Sequence, residues 1–258
     1  MIIVKLKGGL GNQMFQYAYG RQLSLRYKTV LKLDRSLLTT SLYQKLFGIT
    51  PRKYEFGTFK IKPQFAKFRE TLVIPKGNYY LDGYWQDEKY FKKIRPVLLK
   101  EFSLLKESRA FLKLKKIIRS TNSVSIHLRR GDYVRRAVTR KYHGVLDFDY
   151  YQKAIRALTR KVKSPHFFVF SDDIKWVKDN FKINYPAIYI ERSYKLSNPE
   201  EMILMSLCQH NIIANSSFSW WAAWLNQNPR KIIISPKNWF KNKSVEKKRL
   251  IPTEWLKL

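Results

Sequence analysis

Val124-Ser-Ile-His-Leu-Arg-Arg-Gly-Asp-Tyr133 joins a strand pattern to a cluster of charged side chains. Its first half alternates small polar with apolar and β-branched residues, which predicts a buried strand over residues 123–128. Two adjacent guanidinium groups at the strand's end suit a multiply charged anion, because each planar fork can hold phosphate oxygens through paired, charge-assisted hydrogen bonds. The candidate site residues of this segment are His127, Arg129, Arg130 and Asp132.

The alternative is an exposed strand end whose arginines pair with nearby acids. The sequence has 19 Asp and Glu against 51 Lys and Arg, so acidic partners are scarce. This imbalance favours a bound anion, and a diphosphate site is our first hypothesis.

Strand and helix patterns alternate on both sides of this segment. The predicted strands are residues 2–7, 29–34, 78–85, 166–170, 187–191, 211–214 and 231–235. Such alternation predicts an α/β fold with mostly parallel sheets, whose ligands lie beyond the carboxyl ends of the strands. A turn at residues 120–122 is the predicted boundary between a first half, residues 1–120, and a second half, residues 121–258.

Asn215-Ser-Ser-Phe-Ser219 places hydroxyl and amide groups at a predicted helix start, which favours a phosphate cradle but also fits plain N-capping. Asp172 follows a predicted strand, where it accepts hydrogen bonds from a ribose or base, or caps the next helix. His127 either hydrogen-bonds a nucleotide or orients the neighbouring loop.

Asp147 and Asp149 form an Asp-x-Asp pair of the kind that holds a divalent ion on a nucleotide sugar. They directly precede a predicted helix, where the helix dipole favours acids, so capping is the better interpretation. We expect no metal site, since Lys and Arg side chains can stabilise a leaving diphosphate instead.

The N-terminal strand runs into the glycine-rich turn Gly8-Gly-Leu-Gly-Asn12, with a helix predicted from Gln13. A strand, a glycine turn and a helix leave free N–H groups facing a ligand, although the turn also fits a tight connection alone. The amides of Asn12 and Gln13 suit sugar hydroxyls, because each side chain both donates and accepts hydrogen bonds.

Composition sets wider limits on the 258-residue chain. One cysteine, Cys208, excludes an intrachain disulfide and favours a reducing compartment. Residues 1–8 turn charged after three apolar residues, unlike a signal peptide, and no apolar run is long enough to span a membrane, so we expect a cytoplasmic protein. The net charge of +32 is spread along the chain, which is typical of a solvated surface but also favours peripheral contact with anionic lipids. The basic amphipathic pattern over residues 104–119 predicts a helix that lies on a membrane surface or, as is more common for such helices, packs on a core.

Three motifs resemble the galactoside α-1,2-fucosyltransferases, glycosyltransferase family 11. They are Gly8-Gly-Leu-Gly-Asn-Gln-Met-Phe-Gln-Tyr-Ala18, His127-Leu-Arg-Arg-Gly-Asp-Tyr133 and Asn215-Ser-Ser-Phe-Ser-Trp-Trp-Ala-Ala-Trp-Leu225. The resemblance implies a GT-B-like α/β fold of two facing Rossmann-like halves, with mostly parallel sheets. It also implies metal-independent, inverting transfer of L-fucose from GDP-β-L-fucose, without a cofactor, to O2 of a terminal galactose in a glycan, as in surface polysaccharide or lipopolysaccharide synthesis.

The resemblance and the residue chemistry together predict roles. Arg129 and Arg130 bind the diphosphate, Arg130 also acting catalytically, while His127 and Asp172 contact the guanosine. The remaining donor-binding residues of the second half are Asn215, Ser216, Ser217 and Phe218. The first half lies on the acceptor side, and its cleft residues are Gly9, Gly11, Asn12 and Gln13.

The general base stays open at this point. Asp132 is the nearest carboxylate of the motif, but it also suits a role in locking the arginines. The distantly related α-1,6 enzymes place a glutamate five residues beyond this aspartate, whereas Ala137 stands there in this chain.

Rival functions come from other classes. A GT-B glycosyltransferase with another nucleotide sugar differs only in its donor. A basic nucleic-acid-binding protein fits the charge but lacks any recognised module, so no nucleic acid partner is expected. A third rival is a carbohydrate-binding protein without enzymatic activity; the predicted diphosphate site argues against it, because such a protein would not need to bind a diphosphate.

Overall fold

A computed structural model describes residues 1–39, 52–67, 70–71, 76–131, 144–241 and 250–258. The chain forms two compact units, Met1–Leu105 (unit 1) and Lys106–Leu258 (unit 2). The break comes earlier than the turn at residues 120–122, because the helix preceding that turn packs on the strands and helices of unit 2. Among the described residues, no helix is both long and apolar enough to cross a membrane.

Unit 1 is built on a parallel sheet. Its elements are β1 (Ile2–Lys5), α1 (Leu10–Arg26), β2 (Leu31–Asp34), α2 (Ser36–Thr39), β3 (Gln64–Phe65), β4 (Tyr79–Leu81) and α3 (Arg95–Glu101). The strand order is β3-β2-β1-β4, and every pairing is parallel. The strand predicted over residues 78–85 is shorter in the structure, where it covers only Tyr79–Leu81.

Helix α1 lies against the sheet because Gly20 has no side chain. A Cβ at this position would overlap the side chain of Val4 and come within 3.0 Å of Leu31. One turn earlier, Tyr17 packs edge-on against Phe56 and Phe102. The helix begins at Leu10, three residues before the predicted start at Gln13.

Unit 2 carries a larger parallel sheet. Its elements are α4 (Arg109–Arg119), β5 (Asn122–Leu128), α5 (Phe148–Thr159), β6 (Pro165–Ser171), α6 (Ile174–Asn180), β7 (Ala187–Tyr189), α7 (Asn198–Leu207), β8 (His210–Ile212), α8 (Ser217–Leu225), β9 (Ile233–Ser235) and β10 (Leu256–Lys257). The order is β10-β9-β8-β5-β6-β7. The α/β class with parallel sheets is confirmed, whereas the edge strand β10 was missed.

Strand β5, the strand predicted from the opening motif, lies inside this sheet between β8 and β6. Both of its faces are covered, and the residues from Ser123 to Leu128 are all buried. Helix α4 buries Phe111, Leu114 and Ile118, so the interpretation of the basic amphipathic pattern as a core-packing helix is confirmed for Arg109–Arg119. Contact of its basic face with lipid stays a prediction.

Helix α8, which carries the third sequence motif, is almost entirely buried from Ser219 to Leu225. Trp220 and Trp221 are both fully buried, and the indole Nε1 of Trp220 donates a hydrogen bond to the carbonyl of Leu250 at 2.7 Å. Behind it, the amide of Asn211 donates to Ser125 Oγ at 2.7 Å and accepts from Asn226 at 2.7 Å. Asn226 is the C-cap of α8, so these contacts fix the end of the helix relative to the central strands.

Candidate active site

Strand register brings the two arginines and Asp172 together. In the β5–β6 pairing Leu128 lies opposite Ser171, so the next residues along, Arg129 and Asp172, are neighbours. Arg129 Nη1 lies 3.1 Å from Asp172 Oδ2, and the backbone N–H of Arg130 donates to Oδ1 at 2.9 Å. Asp172 therefore fixes the loop that carries both arginines, and both of its oxygens are used in doing so.

Gly131 is required by this arrangement. A Cβ at this position would overlap the carboxylate of Asp172. Glycine therefore allows the loop after β5 to approach the loop after β6 closely, and it also allows the turn that the sequence predicted.

The Arg130 guanidinium is held by two further contacts. Its Cζ lies 3.1 Å from the centroid of the Trp176 ring, and its Nε lies 3.8 Å from Asp173 Oδ2. Stacking on an indole orients the planar fork while leaving its edge available for anion oxygens. Trp176 was missed in the sequence, because a single tryptophan in a short amphipathic helix resembles an ordinary core residue.

His127 is buried beside the arginines. Burial and the charge of Arg129 lower its pKa to about 3, against the opposing effect of Asp172, so the imidazole is neutral at physiological pH. Its ring lies 5.6 Å from that of Phe218, and its Nδ1 has no hydrogen-bond partner among the described residues. A neutral His127 suits hydrogen bonding to a nucleotide better than general acid–base work.

The start of α8 lies on the other side of β5. Ser216 is the N-cap, and its Oγ accepts the N–H of Phe218 at 3.4 Å, so the capping interpretation is confirmed for Ser216. The amide of Asn215 donates to the carbonyl of Trp239 at 3.2 Å, which anchors the turn. Ser217 is half-buried and lies in the first turn of α8.

The cleft residues predicted for the first half all lie at the start of α1 in unit 1. Gly8, rather than Gly9 or Gly11, is the glycine that the turn requires, since its φ is +80°. Asn12 Oδ1 accepts from Gln86 at 2.8 Å. Gln13 is fully buried and donates to the carbonyls of Gly8 at 3.0 Å and Lys53 at 2.9 Å, so it braces the turn.

The acidic pair at the start of α5 behaves as a cap. Asp147 accepts the N–H of Tyr150 at 2.9 Å, and Asp149 pairs with Lys153 at 2.6 Å, so the capping interpretation is confirmed. Within the described ranges there is no group of three or more His, Cys, Asp or Glu side chains suited to a metal ion. Asp132, the predicted catalytic carboxylate, lies outside the described residues.

Glu201, in the first turn of α7, is a further acid that the sequence did not single out. Burial and the charge of Asp172 raise its pKa to about 7. Glu200 beside it completes a capping box with Ser197, the N-cap of α7.

We expect Glu201 to make stability depend on pH. Its pKa is higher in the folded chain than in the unfolded chain, so its contribution is lost as pH rises from about 4.5 to about 7. Glu201→Gln is expected to raise the free energy of unfolding by about 2 kcal/mol at pH 8 and to leave it unchanged at pH 4.5. Urea unfolding at both pH values measures this, with the exposed Asp179→Asn as the control. Equal effects of Glu201→Gln at the two pH values would contradict the expectation.

Residues 1–258 match the family described as Glycosyl transferase family 11. This chain belongs to glycosyltransferase family 11. The resemblance to galactoside α-1,2-fucosyltransferases is thereby confirmed, as is the enzyme class of glycosyltransferase.

Two relatives in this family come from Escherichia coli. The O-antigen biosynthesis glycosyltransferase WbnK is 34% identical, over 98% of this chain and 99% of its own. The Alpha-1,2-colitosyltransferase is 32% identical, over 100% of this chain and 99% of its own. Both matches thus cover nearly the full length of this chain and of the relative.

Among solved structures, the NodZ alpha-1,6-fucosyltransferase soaked with GDP-fucose is similar to this family 11 chain, with a TM-score of 0.53 and 14% identity. The match covers 90% of this chain and 94% of that one. At this identity the likeness shows the fold, and the predicted GT-B-like class is confirmed.

Proposed function

We propose that the chain is an inverting, metal-independent transferase that moves L-fucose from GDP-β-L-fucose to O2 of a terminal galactose in a glycan. The observation that carries the proposal is the arginine pair at the end of β5, with both residues fixed by Asp172. Membership of glycosyltransferase family 11 supports the enzyme class, and the resemblance of the three motifs to galactoside α-1,2-fucosyltransferases supports the sugar and the linkage.

The arginines suit the chemistry of the leaving group. During transfer the bond from the anomeric carbon to the diphosphate breaks, and its electron pair stays with GDP. Arg129 and Arg130 stabilise the charge that develops there, which is the role a metal ion would otherwise have. Galactose O2 forms the new bond from the opposite face, so the configuration inverts.

A base takes the proton from galactose O2, and we assign this to Asp132 as the carboxylate nearest the arginines in sequence. The half-buried Asn12 at the start of α1 serves the acceptor sugar, while the fully buried Gln13 braces the turn that carries it. Relatives include an O-antigen enzyme, which supports an acceptor in surface polysaccharide or lipopolysaccharide synthesis. We place the reaction at the cytoplasmic face of the membrane, where the net charge of +32 favours anionic lipids.

A second candidate is transfer of colitose, which is L-fucose without its 3-hydroxyl. The colitosyltransferase relative is similar over the full length of the chain, which favours this candidate over other sugars. The two functions share the diphosphate site and differ only at one hydroxyl of the sugar.

Calorimetric titration in EDTA tests the donor. GDP-fucose, GDP-colitose, GDP-mannose and UDP-galactose are titrated in turn, and a galactose-terminated acceptor is then added to identify the product linkage by NMR. We expect selective binding of GDP-fucose and an α-1,2 product. Preference for GDP-colitose would favour the second candidate, binding that needs added metal would refute metal independence, and binding of no donor would refute the proposal.

A further inference from the structure

The amino ends of the unit 1 strands carry several large apolar side chains that face solvent. Among the described residues, eleven large hydrophobic side chains are exposed, and four of them belong to this end: Leu25 (39%), Tyr27 (57%), Val30 (46%) and Tyr79 (60%). Exposed apolar residues scattered singly are ordinary, whereas several at one place on a surface indicate contact with a partner or a membrane.

The strand register places these side chains together. In the parallel sheet Ile2 pairs with Leu31 of β2 and with Tyr79 of β4. Val30, which directly precedes Leu31, and Tyr79 therefore lie about 10 Å apart, on either side of the central strand. Helix α1 begins beyond the carboxyl end of β1 and runs back along the sheet, so its C-terminal end, residues 25–27, lies at the same edge.

Backbone hydrogen bonds hold this edge in a defined conformation. The N–H of Ile2 donates to the carbonyl of Val30 at 2.9 Å, which extends the sheet to its end. In the loop after α1, the N–H of Thr29 donates to the carbonyl of Ser24 at 2.9 Å. Because the backbone is already ordered, the exposed side chains lose little conformational entropy when a partner covers them.

The same edge is basic. Residues 25–31, 62–65 and 76–81, which form or precede the amino ends of the strands, include no Asp or Glu. Lys32 is paired with Glu70 at 2.5 Å and does not belong to the set. The exposed basic side chains of the three segments are Arg26, Lys28, Lys62 and Lys76. Together with the four apolar side chains they form what we call the amino-edge patch.

The chemistry of the patch limits what can cover it. A tyrosine ring suits the boundary between membrane and water, because its body is apolar and its hydroxyl is polar. Aliphatic side chains such as Val30 enter the region between headgroups and acyl chains, while lysines beside them bind anionic headgroups. A nucleic acid would meet the charges but would offer its phosphates to the apolar side chains.

Resting on the membrane location given in the proposed function, we infer that the amino-edge patch docks this protein on an anionic lipid surface. Asn12 and the glycine turn lie at the opposite end of β1, so docking leaves them accessible. Helix α4 is another basic surface and exposes Leu112, but its one aromatic residue, Phe111, is buried. The exposed tyrosines therefore favour the amino-edge patch over α4.

Sedimentation of the full chain with lipid vesicles tests the inference. Phosphatidylethanolamine vesicles with about 30% phosphatidylglycerol are compared with phosphatidylcholine vesicles, at about 50 mM and about 500 mM salt. We expect the wild type to bind the anionic vesicles at low salt and to bind phosphatidylcholine at least about tenfold more weakly.

Two variants remove the two kinds of group in the patch. Lys28→Ala/Lys62→Ala/Lys76→Ala is expected to weaken binding to anionic vesicles about a hundredfold, since each charge contributes about a factor of five. Tyr27→Ser/Tyr79→Ser is expected to weaken it about tenfold at both salt concentrations, because burial of the rings is not screened by salt.

Lys92→Ala/Lys93→Ala/Lys100→Ala is the matched control, because it removes three exposed charges from the same unit. It is expected to bind anionic vesicles within about threefold of the wild type. Thermal unfolding shows that each variant is folded, and titration with GDP-fucose, whose affinity is expected to stay unchanged, shows that the donor site is intact.

Several outcomes would overturn the inference while GDP-fucose still binds. Equal losses in the triple-lysine variant and the control would assign vesicle binding to net charge. A loss in Arg109→Ala/Lys113→Ala/Lys116→Ala, with the triple-lysine variant unaffected, would assign it to α4. Unchanged binding of the tyrosine variant would exclude insertion of the rings, and a wild type that binds no anionic vesicle would overturn the membrane location as well.

The proposed transfer reaction fails in a different way. Vesicle binding by a wild type that binds no nucleotide sugar would overturn the reaction and leave the docking surface standing. Binding of a labelled DNA duplex that is lost in the triple-lysine variant, while vesicle binding is kept, would assign the amino-edge patch to nucleic acid and overturn the inference.

Discussion

Replacing Arg130 with alanine is expected to lower the turnover of glycosyl transfer by about a thousandfold, equivalent to about 4 kcal/mol of transition-state stabilisation. The guanidinium is oriented by stacking on Trp176 and lies beside Asp173. Negative charge grows on the diphosphate as the sugar leaves, so a fixed cation acts more strongly on the transition state than on the bound donor. The loss should therefore fall mainly on kcat.

Steady-state kinetics with saturating donor measures this effect. Arg130→Lys is expected to recover only part of the activity, because an ammonium group keeps the charge but loses the planar fork. Arg156→Ala is the control, since Arg156 is an exposed arginine on α5 of the same unit. A kcat for Arg130→Ala within tenfold of the wild type would assign the developing charge to other groups.

The largest effect on stability is expected for Trp220→Ala, which should lower the free energy of unfolding by about 3–5 kcal/mol. The indole is fully buried and packs against Trp224, with ring centroids 6.2 Å apart, and against Trp255, at 5.6 Å. Truncation leaves a large cavity and removes the indole N–H that donates to the carbonyl of Leu250. Donor binding should weaken too, because the start of α8 would lose its support.

Urea unfolding gives the measurement, with Leu112→Ala as the control. Leu112 lies on α4 and is 49% exposed, so its truncation should change stability by less than about 0.5 kcal/mol. Trp220→Phe should lie between the two, since it keeps most of the packing and loses the donor. A loss below about 1 kcal/mol for Trp220→Ala would show that the surrounding core closes over the cavity.

The sequence allowed the sheet of unit 2 and the position of the arginines to be predicted. Both depend on short-range patterns: the alternation before Leu128 marks a buried strand, and charged residues directly after such a strand lie at its carboxyl end. The convergence of Arg129 with Asp172 followed from the same rule, because both residues come after strands of one parallel sheet.

What the sequence did not reveal depends on tertiary contacts. Glu201 in the first turn of a helix has the same pattern as an acid that serves only the helix dipole, and nothing local distinguishes it from Glu200. Trp176 acts through the guanidinium above it, which lies 46 residues away in the chain. Strand β10 has only two residues, Leu256–Lys257, too short for a periodic pattern.

The close approach of Gly131 to Asp172 also constrains how the sequence can vary. Because a Cβ at Gly131 would occupy the space of the carboxylate, a homologue can enlarge position 131 only if position 172 changes as well. We therefore expect the two positions, 41 residues apart, to vary together among homologues. Libraries that vary the residues around the arginine loop should therefore leave both positions fixed.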